Sequence, residues 1–109
     1  MKVKYNVDIY SRTLYIMNSF KQFNKTRKDL GLEPHPYNQP CCYMYRSCFY
    51  IYVPKGSCLS SAVHECVHVA IDMLDSIHWK IDPDNQEPLA WLVDYIFRCY
   101  LDFQQKERK

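Results

Sequence analysis

Residues 59–77 contain neither glycine nor proline, and Val63, Val67, Ala70, Ile71 and Leu74 recur through them at helical spacing. A segment this long and regular reads as an amphipathic helix, so the rest of the chain has to supply a core for its apolar stripe. The same helix carries His64-Glu65-Cys66-Val67-His68, an HExxH pattern. With four His and four Glu among 109 residues, chance alone would produce one such pattern in roughly 0.5% of chains of this composition.

The spacing has a chemical meaning. Side chains four apart on a helix stack one turn above the other, so both imidazoles can reach one ion. Glu65 lies about 100° round the helix from His64, where it misses the ion but can touch a water bound to it. Histidines that hold zinc beside a carboxylate that takes a proton are what metal-assisted hydrolysis needs. Catalytic zinc usually has three protein ligands. Glu87, 19 residues after His68 and across one turn, is the best third donor. His78 is an alternative, with Asp72, Asp75 and Asp82 behind it. Asp94 is two turns beyond Glu87 on the same helix, where it could accept the second N–H of a ligand histidine.

Upstream, Val3, Tyr5, Val7 and Ile9 alternate with polar residues, which predicts a half-buried strand. Ser11 or Thr13 then caps a predicted helix running to about Leu30, with Tyr10, Leu14, Met17, Phe20 and Leu30 toward the core and Gly31 ending it. Pro34, Pro36 and Pro40 mark an irregular loop. Two strands at 41–46 and 48–53 turn at Arg46-Ser47. Ser57 caps the motif helix over 59–77, a turn at 82–85 follows, and a last helix spans about 86–103 before a charged tail from about 104. Trp91, Leu92, Ile96, Phe97 and Tyr100 are its predicted core positions. Tyr43, Tyr45, Tyr50 and Tyr52 read as a hairpin with one face in the core, the alternative being a substrate rim. Cys66 reads as a small core residue. The expected fold is a single α+β domain over 1–109: strand, helix, hairpin, HExxH helix and a C-terminal helix bearing Glu87.

Charge is nearly balanced at a formal +2, which argues against nucleic acid as a partner. The basic clusters at Lys21, Lys25, Arg27 and Lys28, and at Lys106, Arg108 and Lys109, read as solvated helix faces. Six cysteines would suggest disulfides in a secreted chain, but the N-terminus has no apolar run fit for a signal peptide. No stretch approaches the roughly 18 apolar residues of a membrane span. The thiols are expected to be free, in a reducing cytoplasm (that of a host cell if the chain is phage-encoded). Cys41, Cys42, Cys48 and Cys58 lack the CxxC pairs of structural zinc modules.

His64-Glu65-Cys66-Val67-His68 followed by Gln86-Glu87-Pro88-Leu89-Ala90-Trp91 resembles the gluzincins, the thermolysin-like class of zinc peptidases. It is similar too to small phage-encoded proteins with an HExxH helix and a downstream Glu-Pro-hydrophobic-Ala-aromatic helix. The resemblance covers about 58–103. It implies a minimal zincin-like fold, zinc held by His64, His68 and Glu87, Glu65 as general base, and a peptide or protein substrate. Thermolysin-like enzymes also have a second lobe that supplies an oxyanion donor, for which this chain has no room. His78 and Tyr95 are the stand-ins. Two other readings stand beside it: a non-catalytic zincin-fold module that assembles with a protein partner around a structural zinc, and a metal-free small α+β protein whose two histidines make ordinary hydrogen bonds.

Overall fold

The computed structural model describes residues 1–108; Lys109 of the basic tail lies outside them. Strands β1 (Lys2–Val7), β2 (Arg12–Met17), β3 (Cys41–Tyr45) and β4 (Cys48–Tyr52) form one mixed sheet in the order β1-β2-β4-β3. β1 pairs antiparallel with β2, β2 parallel with β4, and β3 antiparallel with β4. Helix α1 (Phe20–Asp29) covers one face of the sheet. α2 (Leu59–Ser76) and α3 (Glu87–Glu107) cover the other. This is an α+β architecture.

The predicted helix over 11–30 is corrected in its first half. Residues 12–17 are a strand, turned back on β1 through a short 3-10 turn (Asp8–Tyr10) with Ser11 in the left-handed region at φ 52°. Ile9, expected in the strand, stands exposed on that turn. The physical reason is burial on two sides. Leu14 and Ile16 pack toward α2 and α3, while Met17 packs against Phe23 of α1. A strand covered on both faces reads as a nearly continuous apolar run, which over six residues imitates helical spacing. Leu14 and Met17 are therefore core residues as expected, but from a strand. The helix begins only at Phe20, where the Ser19 hydroxyl accepts from the Gln22 N–H at 3.2 Å. Ser19, not Ser11 or Thr13, is its cap, and Gly31 at φ 79° follows its last turn as expected.

The two-residue turn at Arg46-Ser47 joins β3 to β4, with Arg46 at φ 58°. Tyr15, Tyr50 and Tyr43 are register neighbours across β2, β4 and β3, and their rings stack at 5.2 and 4.6 Å. Lys2 and Arg27 cap the two ends of that stack, each 4.9 Å from a ring centroid. The tyrosines thus face α1, one side of the hairpin going into the core.

On the opposite face, α3 is tied to β1 by Tyr5 donating to Asp102 at 2.8 Å and Tyr95 donating to the Asn6 carbonyl at 2.7 Å. Arg12 donates to the Ser76 hydroxyl and carbonyl, fixing the end of α2 to the start of β2. Leu92, Ile96, Tyr100 and Phe103 are buried, but Trp91, expected in the core, is 44% exposed, edge-on to Tyr10. α3 also runs past the expected tail boundary to Glu107, whose carboxylate meets Lys55 at 3.9 Å. Among the described residues no helix is long and apolar enough to cross a membrane.

Two substitutions test this assignment by chemical denaturation. Leu14→Ala, deep in the central strand, is expected to cost about 2–5 kcal/mol. Ser19→Ala is expected to cost about 1 kcal/mol, and Thr13→Ala less. A larger loss at Thr13 than at Ser19 would restore the longer helix.

Candidate metal centre

α2 positions the site. Its sheet-facing side buries Ala62, Cys66, Val69, Ala70, Met73 and Leu74, so His64 and His68 are left on the solvent side. Their Nε2 atoms lie 3.1 Å apart, one ring donating to the other, with ring planes at 78°. A tetrahedral ion with two Zn–N bonds of about 2.0–2.1 Å would set its donors about 3.3 Å apart. The separation is thus close to that of two zinc ligands, but rings bonded to each other must turn before both nitrogens point at one ion.

Glu65 goes the other way. It is only 6% exposed and faces the edge strand β3. Burial, and then the neighbouring Glu65 carboxylate, push the Cys42 thiol far above its usual range. The same two causes raise Cys41 to about 11, with Arg27 opposing them. Gln39, Pro40, Ser61, His64 and Glu65 line a cleft of about 310 Å³. Gln39 and Pro40, at the end of the proline-marked loop, form a wall of this cleft. The prolines mark a loop, and no local spacing encodes which element that loop meets.

The remaining expected donors are elsewhere. Glu87 opens α3 on the side toward the 3-10 turn, lining a shallow pocket with Ile9, Tyr10, Pro88 and Trp91. Among the described residues no third His, Cys, Asp or Glu joins the histidine pair in a set that could hold an ion. Of the three expected ligands the structure brings His64 and His68 together and leaves Glu87 apart. His78 sits beyond the end of α2 in the left-handed region at φ 62°, its backbone N–H bonded to the Asp75 carbonyl. Asp94 pairs with Arg98 at 3.0 Å instead of orienting a histidine. Tyr95, proposed as an oxyanion donor, spends its hydroxyl on Asn6 and stacks on Trp91.

All six cysteines are free thiols. Cys41 and Cys42 point to opposite faces of β3, in keeping with strand alternation. Cys66 is fully buried in the core as expected, its thiol pushed up to about 12 chiefly by that burial. Cys58, not Ser57, occupies the cap position of α2. The Ser60 and Ser61 hydroxyls, 3.0 and 3.3 Å from its sulfur, lower its thiol to about 7.

The thiolate is the reactive form. Alkylation of the native protein by iodoacetamide should therefore strike Cys58 first, at a rate that rises with pH through a midpoint near 7. Cys66 and Cys99 should react only on unfolding. Peptide mapping across pH checks this, and uniform labelling of the six thiols would contradict it. The chain matches no protein-family model, and no curated protein or solved structure matches it either.

Proposed function

We propose that the protein is a zinc-dependent hydrolase of peptide bonds, with His64 and His68 as metal ligands and Glu65 as general base. The observation that carries this reading is the split of one helix turn: two imidazoles paired toward solvent, and beside them a carboxylate buried in the wall of a cleft. Zinc, when bound, polarises a carbonyl and acidifies a water. The chain's own residues do the rest. β3 pairs with β4 on one side only, so its other edge is free to bond the backbone of an extended peptide beside α2. Glu65, next to that edge, accepts the water's proton and hands it to the leaving amine.

In this reading Glu87 becomes the third ligand by a change in the first turn of α3. Gln86 precedes that turn with no side-chain cap bond, its carbonyl accepting from the Ala90 N–H at 3.0 Å, and the residues just before it are exposed. A second reading, a non-catalytic module with a structural zinc, draws support from Tyr95, whose hydroxyl is committed to Asn6.

Metal analysis is expected to give one zinc per chain, lost in His64→Ala and His68→Ala. A chelator-dye competition should show Glu87→Ala loosening zinc at least about tenfold and His78→Ala leaving it unchanged. A protein that takes up no zinc even after reconstitution ends both readings.

Glu65→Gln separates them. A hydrolase should keep zinc and fold but lose at least about a hundredfold in turnover of a cleaved peptide, the share general-base catalysis supplies. Full biological effect in a zinc-loaded Glu65→Gln protein would leave only the structural-zinc reading.

A further inference from the structure

His64 and His68 offer two nitrogens to an ion, and a tetrahedral zinc takes four donors. Among the described residues no His, Cys, Asp or Glu stands where it would make a third. Both imidazoles are exposed on the solvent side of α2, so another molecule can approach them. Symmetry supplies the missing donors. A two-fold axis through the ion brings the same pair from a second copy of the chain, and four imidazole nitrogens close the tetrahedron with no further residue.

The helix around the pair suits such a contact. Ser61, His64, His68, Ile71 and Asp75 recur at steps of three and four, which makes one stripe along α2, and none of them is buried. Ile71, 39% exposed, lies one turn beyond His68, and Val63, 38% exposed, borders His64. Covering these apolar side chains would add hydrophobic stabilisation to the metal bonds.

Charge decides the direction. The stretch of α2 from Leu59 to His64 carries no Lys, Arg, Asp or Glu and no side-chain cap bond, while the far end carries Asp72 and Asp75 with no basic residue in the last turn. A parallel pair of α2 helices would set Asp75 against Asp75. An antiparallel pair has its axis between His64 and His68, so Ile71 meets Ser61 of the second copy. Asp72 and Asp75 then reach the N-terminal end of that copy's α2, the positive end of its helix dipole.

We propose that, when zinc is scarcer than protein, two copies of this chain share one ion through four histidines in an antiparallel α2–α2 dimer. The inference rests on the reading of the pair as zinc ligands and adds a regulation of that site. With four positions taken by imidazoles none is left for a water. The dimer is therefore the closed form, and a chain that holds its own ion is the open one.

Sedimentation velocity and metal analysis of the full chain, stripped with EDTA and titrated with zinc sulfate, test this. The stripped chain should be a monomer, reach its highest dimer fraction at half an equivalent of zinc, and return to monomer with one zinc per chain in excess. Ile71→Lys changes no ligand. It should weaken the dimer at least about tenfold, as a charge forced into a drying contact does, and keep one zinc per chain at saturation. Asp75→Asn should weaken the dimer about threefold at low salt, through the lost contact with the helix dipole.

One zinc per chain at every ratio, with no dimer, overturns the shared site and leaves the hydrolase reading standing. A dimer that forms without zinc, or that survives His64→Ala, overturns it too. A tighter dimer in Asp75→Asn overturns the antiparallel arrangement. A dimer that keeps half an equivalent even in excess zinc supports the shared site and removes the open position that hydrolysis needs. A chain that takes up no zinc at all removes both.

Discussion

Strand β2 lies between an antiparallel neighbour, β1, and a parallel one, β4, with Leu14 and Ile16 pressed against the α2–α3 layer and Met17 against Phe23. Five of its residues, Thr13 to Met17, are thus paired on both edges, and Leu14, Ile16 and Met17 are buried. The parallel pairing forces a long connection, since parallel neighbours cannot be joined by a tight turn. That connection contains α1 and β3, so it covers the tyrosine face of the sheet and supplies the free edge strand as well. With one face covered by α1, α2 and α3 have only the other to pack on.

The arrangement of α2 follows. Its apolar stripe must face Phe49, Ile51 and Val53, and a helix oriented that way has a fixed rotation about its axis. The rotation that buries Cys66, Val69 and Met73 also turns Glu65 under β3 and the two histidines outward. No separate device orients the site, and the packing of the helix is enough. A carboxylate this deeply buried is costly without polar neighbours. The Cys42 thiol, which stays protonated, and the cleft at Gln39 and Pro40 are what Glu65 has around it. The opposite face of the sheet shows a contrasting use of polar groups. The Tyr15–Tyr50–Tyr43 stack is capped at both ends by cations, so no ring face on it is left open for a ligand.

Charge is distributed with the same asymmetry. α1 carries Lys21, Lys25, Arg27 and Lys28 against one Asp29, while α2 carries three carboxylates and no Lys or Arg. A chain whose formal net charge is only +2 thus sets a basic helix on one face of the sheet and an acidic one on the other. The two histidines lie on the helix that carries those carboxylates.

The hairpin at Arg46-Ser47, the motif helix, the last helix and the α+β class were legible from local pattern. Each rests on a period, a turn residue or a breaker within a few positions. The histidine pair was legible for the same reason, since an i, i+4 spacing brings two side chains together in any helix. β2 was not legible. Its six residues fit a helical stripe and a doubly buried strand equally well, and only β1 and β4 on its two edges choose between them. Nor were Gln39 and Pro40 as the wall of the cleft, Trp91 at the surface, Tyr95 bound to Asn6, or Glu87 turned toward Ile9 and Tyr10. Sequence by itself determined which residues can share a helix face. Only the tertiary structure decided which faces meet, because that depends on the rotation of α3 against α2 and on strand pairings between segments far apart in the chain, neither of which any local spacing encodes.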